Sequence, residues 1–185
     1  DKGFIHLDFK PENIMVTLDG DVRLIDFDLA EEKPDKPRKM DKHSGTPAYM
    51  APEQLEGRED VRTDIFAFGL VLHEMMSGRR VFQASTQVAL IGEVMNYEPP
   101  ALSSLRPETP PALERLVRLC LAKDPEQRWQ SAQDLATQLG GISEPVTPTS
   151  GAVTRTAAPE KSRRRTWKIA AAALAAACCL LSAVQ

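Results

Sequence analysis

The sequence predicts an α+β domain, mainly helical with one short hairpin near its start, followed by a disordered linker and a transmembrane helix. Three observations carry this expectation. One strand–turn–strand signal stands early in the chain, four or five helical segments follow it, and the composition changes after Ile142.

Ile14 to Leu18 is an apolar-rich run, Asp19-Gly20 is a hairpin turn signal, and Val22 to Ile25 completes a pair of antiparallel strands. From Glu31 to His43 the chain is charged and interrupted by Pro34 and Pro37, which predicts a surface loop. After Gly57 the pattern turns helical. Ile65, Phe66, Phe68, Leu70, Leu72, Met75 and Met76 surround the axis nearly all round, predicting a buried central helix closed by Gly78. Val88 to Met95 reads as a second helix. Pro111 to Ala122 reads as a third, with Leu113, Leu116, Val117, Leu119 and Cys120 at helical spacing. Ser131 and Asp134 resemble a capping box with Asp in the last place. They open a final helix with Leu135 and Leu139 on one face and Gly140-Gly141 as its stop.

The expected organisation is a domain over residues 1–140, a disordered Ser/Thr/Pro-rich and basic linker over 141–166, and a membrane helix, whole or cut short, over 167–185. The linker is rich in Ser, Thr, Pro, Ala and Gly and has too little apolar surface to form a core. Arg163, Arg164, Arg165, Trp167 and Lys168 precede the uncharged run Ile169 to Val184, a basic and aromatic flank of the kind found at a membrane surface. A span with this flank places the domain in the cytoplasm, on a single-pass membrane protein. Residues 145–185 carry a net charge of +5, so with −3 overall the preceding residues carry −8. An acidic body argues against nucleic acid as a partner, and a basic tail points toward anionic lipid. Cys120, Cys178 and Cys179 form neither a disulfide framework nor a metal-ligand pattern.

The chemistry lies in motifs whose order matters. His6-Leu7-Asp8-Phe9-Lys10-Pro11-Glu12-Asn13 has the form H-x-D-x-x-x-x-N. Phosphoryl transfer needs a carboxylate at the attacking hydroxyl, a cation at the migrating phosphate and oxygen ligands for Mg²⁺, and Asp8, Lys10 and Asn13 supply these in turn. The hairpin then delivers Asp26-Phe27-Asp28. Gly45-Thr46-Pro47-Ala48-Tyr49-Met50-Ala51-Pro52-Glu53 follows, then Asp64, then Arg128 behind Lys123-Asp124-Pro125. Singly, each has an ordinary reading as turn carboxylate, cap or surface ion pair. Together, over residues 1 to about 140, they resemble the protein kinase family, its Ser/Thr branch, and bacterial receptor-type Ser/Thr kinases in particular.

That resemblance implies the α+β protein kinase fold, with this chain as its C-terminal lobe, and ATP-dependent phosphorylation of protein Ser/Thr residues. Asp8 would orient the substrate hydroxyl and accept its proton, and Lys10 would lie against the γ-phosphate of ATP. Asn13 and Asp26 would hold Mg²⁺. Thr46 would tie the substrate-binding segment to Asp8 and Lys10, Glu53 would pair with Arg128, and Asp64 would brace the catalytic loop.

Two positions depart from the family pattern. Leu7 replaces the Arg that receives an activation-loop phosphate, and Ala30 to His43 contains no Ser, Thr or Tyr, so the expected loop is not switched by phosphorylation. Asp28 stands where the family has a Gly, with an expected steric cost at positive φ and an added charge beside the metal site. The chain also begins at Asp1 and contains no Gly-rich loop or Val-Ala-Ile-Lys strand, so the expectation is a fragment, inactive alone without its N-lobe. The alternative reading is a pseudokinase or inactive fragment that binds proteins without catalysis.

Overall fold

A computed structural model describes residues 4–32 and 46–143. The expected linker from residue 144 on, the expected membrane helix, Gly45 and most of the hydroxyl-free loop lie outside these described residues, and residues 141–143, expected as the start of the linker, belong to the last helix. Among them, no helix is long and apolar enough to cross a membrane.

The hairpin forms from β2 (Ile14–Val16) and β3 (Val22–Leu24), with Met15 opposite Arg23. Its loop is longer than a two-residue Asp-Gly turn, running from Thr17 to Asp21. Gly20 N–H donates to Thr17 O at 3.0 Å, and Gly20 takes φ +91°, a conformation that a side chain would strain. The second pairing was not expected. β1 (Phe4–Ile5) runs antiparallel to β4 (Glu31–Glu32), so the predicted surface loop begins as a strand. Two consecutive glutamates carry no strand pattern; the main-chain partner makes this strand.

α1 (Pro52–Leu55) leads into the central helix α2 (Val61–Ser77). Asp60 caps α2: its carboxylate accepts the Arg62 N–H at 2.7 Å, while Thr63 Oγ1 receives the Asp60 N–H at 3.1 Å. Gly78 ends it at φ +73°. Every residue from Ile65 to His73 is buried, the all-round burial its sequence predicts. α3 (Gln87–Asn96), α4 (Leu102–Leu105), α5 (Pro111–Cys120) and α6 (Ala132–Ser143) pack around it.

α2 and α5 approach closely at Gly69, where a Cβ would lie 2.6 Å from Cys120 Cβ. Phe66, Phe68, Leu70, Leu113, Leu116, Leu135 and Leu139 fill the core. α6 passes through Gly140 and Gly141 to Ser143 instead of stopping there. Glycine in a helix costs about 1 kcal/mol, and Ile142, one turn beyond Leu139 and packed on the core, offsets it. At its start Ser131 Oγ accepts the Asp134 N–H at 3.1 Å and donates to Asp134 Oδ2 at 2.8 Å.

Candidate active site

The segment between β1 and β2 is held in an unusual shape by a helix behind it. Leu7 is buried and takes φ +63°, a left-handed conformation costing a non-glycine residue on the order of 1–2 kcal/mol. Its peptide is clamped on both sides. The N–H groups of His6 and Leu7 donate to Asp64 Oδ2 and Oδ1 at 2.7 and 3.0 Å, and Gln54 Nε2 donates to Leu7 O at 2.8 Å. Burial pushes the Asp64 carboxyl above its ordinary range, and the two amides oppose that shift. His6 is locked too. Its Nδ1 accepts the Asp8 N–H at 3.3 Å, which leaves Nε2–H to donate to Ile25 O at 3.2 Å.

Asp8 therefore projects from a rigid turn, and three residues converge on it. Lys10 Nζ lies 2.5 Å from Asp8 Oδ2 and donates to Thr46 Oγ1 at 3.1 Å. Thr46 approaches the other oxygen, its N–H at 3.2 Å and its hydroxyl at 3.3 Å from Asp8 Oδ1. Asn13 stands in a 3-10 turn, Pro11–Asn13, and its Nδ2 donates to Asp8 O at 2.9 Å and Asp8 Oδ2 at 3.0 Å. Both amide hydrogens are committed, so Asn13 Oδ1 remains as an acceptor.

The hairpin closes the other side. Ile25 N–H donates to Asn13 O at 2.9 Å, so Asp26 emerges beside Asn13. Asp26 takes φ +64° and is exposed, with no hydrogen-bond partner for its carboxylate among the described residues. The expected strain at Asp28 is corrected here. Leu7 and Asp26 alone among the described non-glycine residues have positive φ, so the left-handed turn falls on Asp26 and Asp28 bears no such cost. A short polar side chain tolerates that conformation.

The Asn13 amide oxygen and Asp26 carboxylate are hard oxygen donors that suit Mg²⁺, which binds one or two protein carboxylates and completes its shell with phosphate oxygens and water. No group of three or more His, Cys, Asp or Glu able to cage a metal occurs among the described residues.

Glu53 and Arg128 lie below this centre, fully inside the protein, where the surface-pair reading does not apply. Thr63 Oγ1 donates to Glu53 Oε1 at 2.9 Å, tying the pair to α2. The sequence did not reveal Gln54, whose residue type is ordinary on a helix surface. Nor did it reveal a chain from Tyr49 to Glu12. The Tyr49 hydroxyl donates to Glu74 Oε2 at 2.5 Å, and Arg80 lies 3.8 Å from Glu74 Oε1 and 3.2 Å from Glu12 Oε1. Burial first, then the Glu74 bond, raises the Tyr49 phenol well above its ordinary value.

This turn–hairpin constellation on a helical lobe defines the class. The protein kinase domain family matches residues 1–139, and the chain belongs to that family. It is 38% identical over 136 residues to the serine/threonine-protein kinase PknH of Mycobacterium tuberculosis, covering 72% of this chain and 22% of PknH. With the probable serine/threonine-protein kinase PknB of Corynebacterium glutamicum it shares 34% identity over 151 residues, 77% of this chain and 23% of PknB. With PknL of Mycobacterium tuberculosis it shares 30% over 178 residues, 87% of this chain and 43% of PknL. The chain spans less than half the length of these relatives.

Proposed function

We propose that this chain supplies the catalytic loop, metal-binding Asp and substrate segment of an ATP-dependent protein Ser/Thr kinase, held at the cytoplasmic face of a membrane by residues 167–185. The observation that supports the reading is the double donation from Asn13 to Asp8, which orients the Asp8 carboxylate and leaves Asn13 Oδ1 as an acceptor. Mg²⁺-bound ATP, when present, supplies the phosphoryl group and neutralises its charge.

Asp8 receives the acceptor hydroxyl at the carboxylate edge beside Thr46 and takes its proton. Lys10 bridges Asp8 and Thr46 with two of its ammonium hydrogens and keeps the third for a γ-phosphate oxygen. Asn13 Oδ1 and the Asp26 carboxylate hold the metal. Thr46 keeps the substrate segment in register with Asp8. Asp64 and the Glu53–Arg128 pair act only through structure. In this reading the lobe that covers the nucleotide comes from a segment outside these 185 residues, and protein Ser/Thr side chains are the substrates.

The test joins this chain to the N-terminal lobe of a relative such as PknB and measures transfer of labelled phosphate to Ser/Thr peptides. Asp8→Asn should lower the rate by about 10²-fold or more while Mg²⁺-dependent nucleotide binding changes little. Asp26→Asn should weaken that binding itself. Transfer undiminished in Asp8→Asn removes the base assignment. A joined protein that binds nucleotide or peptide and transfers nothing supports the binding-module alternative.

A further inference from the structure

Beside the Asp8 centre a cleft of about 650 Å³ opens, lined by Ala48, Glu74, Arg79, Arg80, Gln83 and Leu90 among others. It adjoins the place where the proposed phosphoacceptor arrives. Ala48 and Tyr49 belong to the turn that begins directly after Thr46, and Glu12 directly precedes Asn13. One carboxylate, Glu74 from α2, lines it, and a second, Glu12 from the catalytic loop, meets its wall at Arg80. Left open, they would form an acceptor for a basic side chain of a substrate.

They are not left open. Arg80, from the segment after α2, places Nη2 3.2 Å from Glu12 Oε1 and Nε 3.8 Å from Glu74 Oε1. Its guanidinium stands 5.7 Å from the centroid of the Tyr49 ring, and Tyr49 in turn holds the other oxygen of Glu74. Carboxylate, ring and phenol thus form one platform under the guanidinium. Arg80 is 46% exposed and Glu74 only 26%, so the guanidinium covers that carboxylate, while Glu12, 55% exposed, holds the guanidinium from the outer edge. The neighbouring Arg79 is exposed on the same cleft and forms no ion pair among the described residues. An incoming lysine or arginine would have to displace Arg80 and approach Arg79.

We propose that Arg80 determines substrate selectivity, acting as the internal counter-ion of Glu12 and Glu74 so that the cleft rejects basic side chains flanking the acceptor Ser/Thr and accepts neutral or acidic ones. This rests on Asp8 as the group beside the acceptor hydroxyl. The mechanism is competition: two carboxylates already compensated have little further attraction for a second cation, and like charges repel it.

The experiment uses Ser-acceptor peptides that differ by one residue, Arg, Ala or Glu, moved in turn through the positions flanking the serine. In the protein joined to a kinase N-terminal lobe, Arg80→Ala should raise the ratio of kcat/KM for the best Arg peptide over its Ala counterpart about fivefold to tenfold, with the gain diminishing in salt. Arg80→Lys keeps the charge and should hold the ratio within about twofold of the parent value. Arg80→Gln, closer in length, repeats the measurement should Arg80→Ala fold poorly. Peptide binding to the 185-residue chain, followed by fluorescence anisotropy, should show the same change in relative Kd. If neither ratio moves in Arg80→Ala or Arg80→Gln, the inference falls. If no variant transfers phosphate, the catalytic reading falls, and the binding ratio alone decides the role of Arg80.

Discussion

The Arg128 guanidinium and the Glu53 carboxylate meet edge to edge inside the protein, Nη1 to Oε1 at 2.6 Å and Nη2 to Oε2 at 2.8 Å. The remaining donors reach main-chain oxygens: Nε to Ala122, Nη1 to Arg62 and Nη2 to Lys123, at 2.6, 3.1 and 3.0 Å. All five N–H groups of the fork are satisfied, and the guanidinium carbon stands 4.7 Å from the centroid of the Phe66 ring. Removing one partner leaves a charge stranded without water. Arg128→Ala or Glu53→Ala should each lower unfolding free energy by about 3–5 kcal/mol, read by urea denaturation. Arg128→Lys should recover only part, because an ammonium cannot reproduce the bidentate fork. A loss below about 1 kcal/mol would return the pair to the ordinary surface class.

Gly69 sets the distance between α2 and α5. A methyl group there would collide with Cys120 Cβ at 2.6 Å and crowd Leu121 Cδ2 at 3.0 Å. Helix propensity alone would favour alanine by about 1 kcal/mol, but the overpacking term is larger. Gly69→Ala should lower the thermal midpoint, with a net cost of about 1–3 kcal/mol. Stabilisation instead would mean that the two helices move apart freely.

His73 is buried in α2, with Nε2 3.4 Å from Pro100 O and Nδ1 3.4 Å from Ser77 Oγ. Burial holds its pKa below the ordinary value of 6.5, so the unfolded chain takes up a proton more readily than the folded one. Its contribution to stability is then fully present above about pH 6.5 and is lost as pH falls through that value toward the lower folded pKa. The slope from one histidine is at most about 1.4 kcal/mol per pH unit. Comparing urea midpoints at neutral and mildly acidic pH, His73→Gln should show a smaller acid-induced loss than the parent. Equal losses in the two proteins would assign the effect to other groups.

Residues 167–185 should carry the chain to a membrane. Five basic residues from Lys161 to Lys168 stand before an uncharged run, each worth about 1 kcal/mol near anionic lipid. After cell fractionation the chain should sediment with membranes and resist extraction by high salt and carbonate. Release by salt alone would indicate surface attraction without a span, and recovery in the soluble fraction from the start would overturn the anchor.

Much of the fold was legible because its signals are local. The hairpin rests on a turn dipeptide between apolar runs, and α2 on apolar residues around its whole circumference with Gly78 at its end. Asp8, Lys10 and Asn13 are separated by a few residues, and their spacing pointed to a shared centre only together with the motifs that follow in order. Thr46, Glu53, Asp64 and Arg128 were found by their order along the chain, which names the residues without giving their contacts.

The sequence by itself determined the hairpin, the helical lobe and the family, and it named Lys10, Asn13 and Thr46, which the fold gathers on Asp8. Tertiary structure alone decided their conformations and partners. It paired Phe4–Ile5 with Glu31–Glu32, moved the left-handed turn from Asp28 to Asp26, carried α6 through Gly140-Gly141, and set Gln54 against Leu7. It also laid Arg80 across Glu12, 68 positions away, and buried Arg128 against Glu53, 75 positions away. Local propensity acts over a few residues, through turn chemistry and side-chain period. A strained φ, a two-residue strand or a compensated charge exists only where a distant segment supplies the hydrogen bond or counter-charge that offsets its cost.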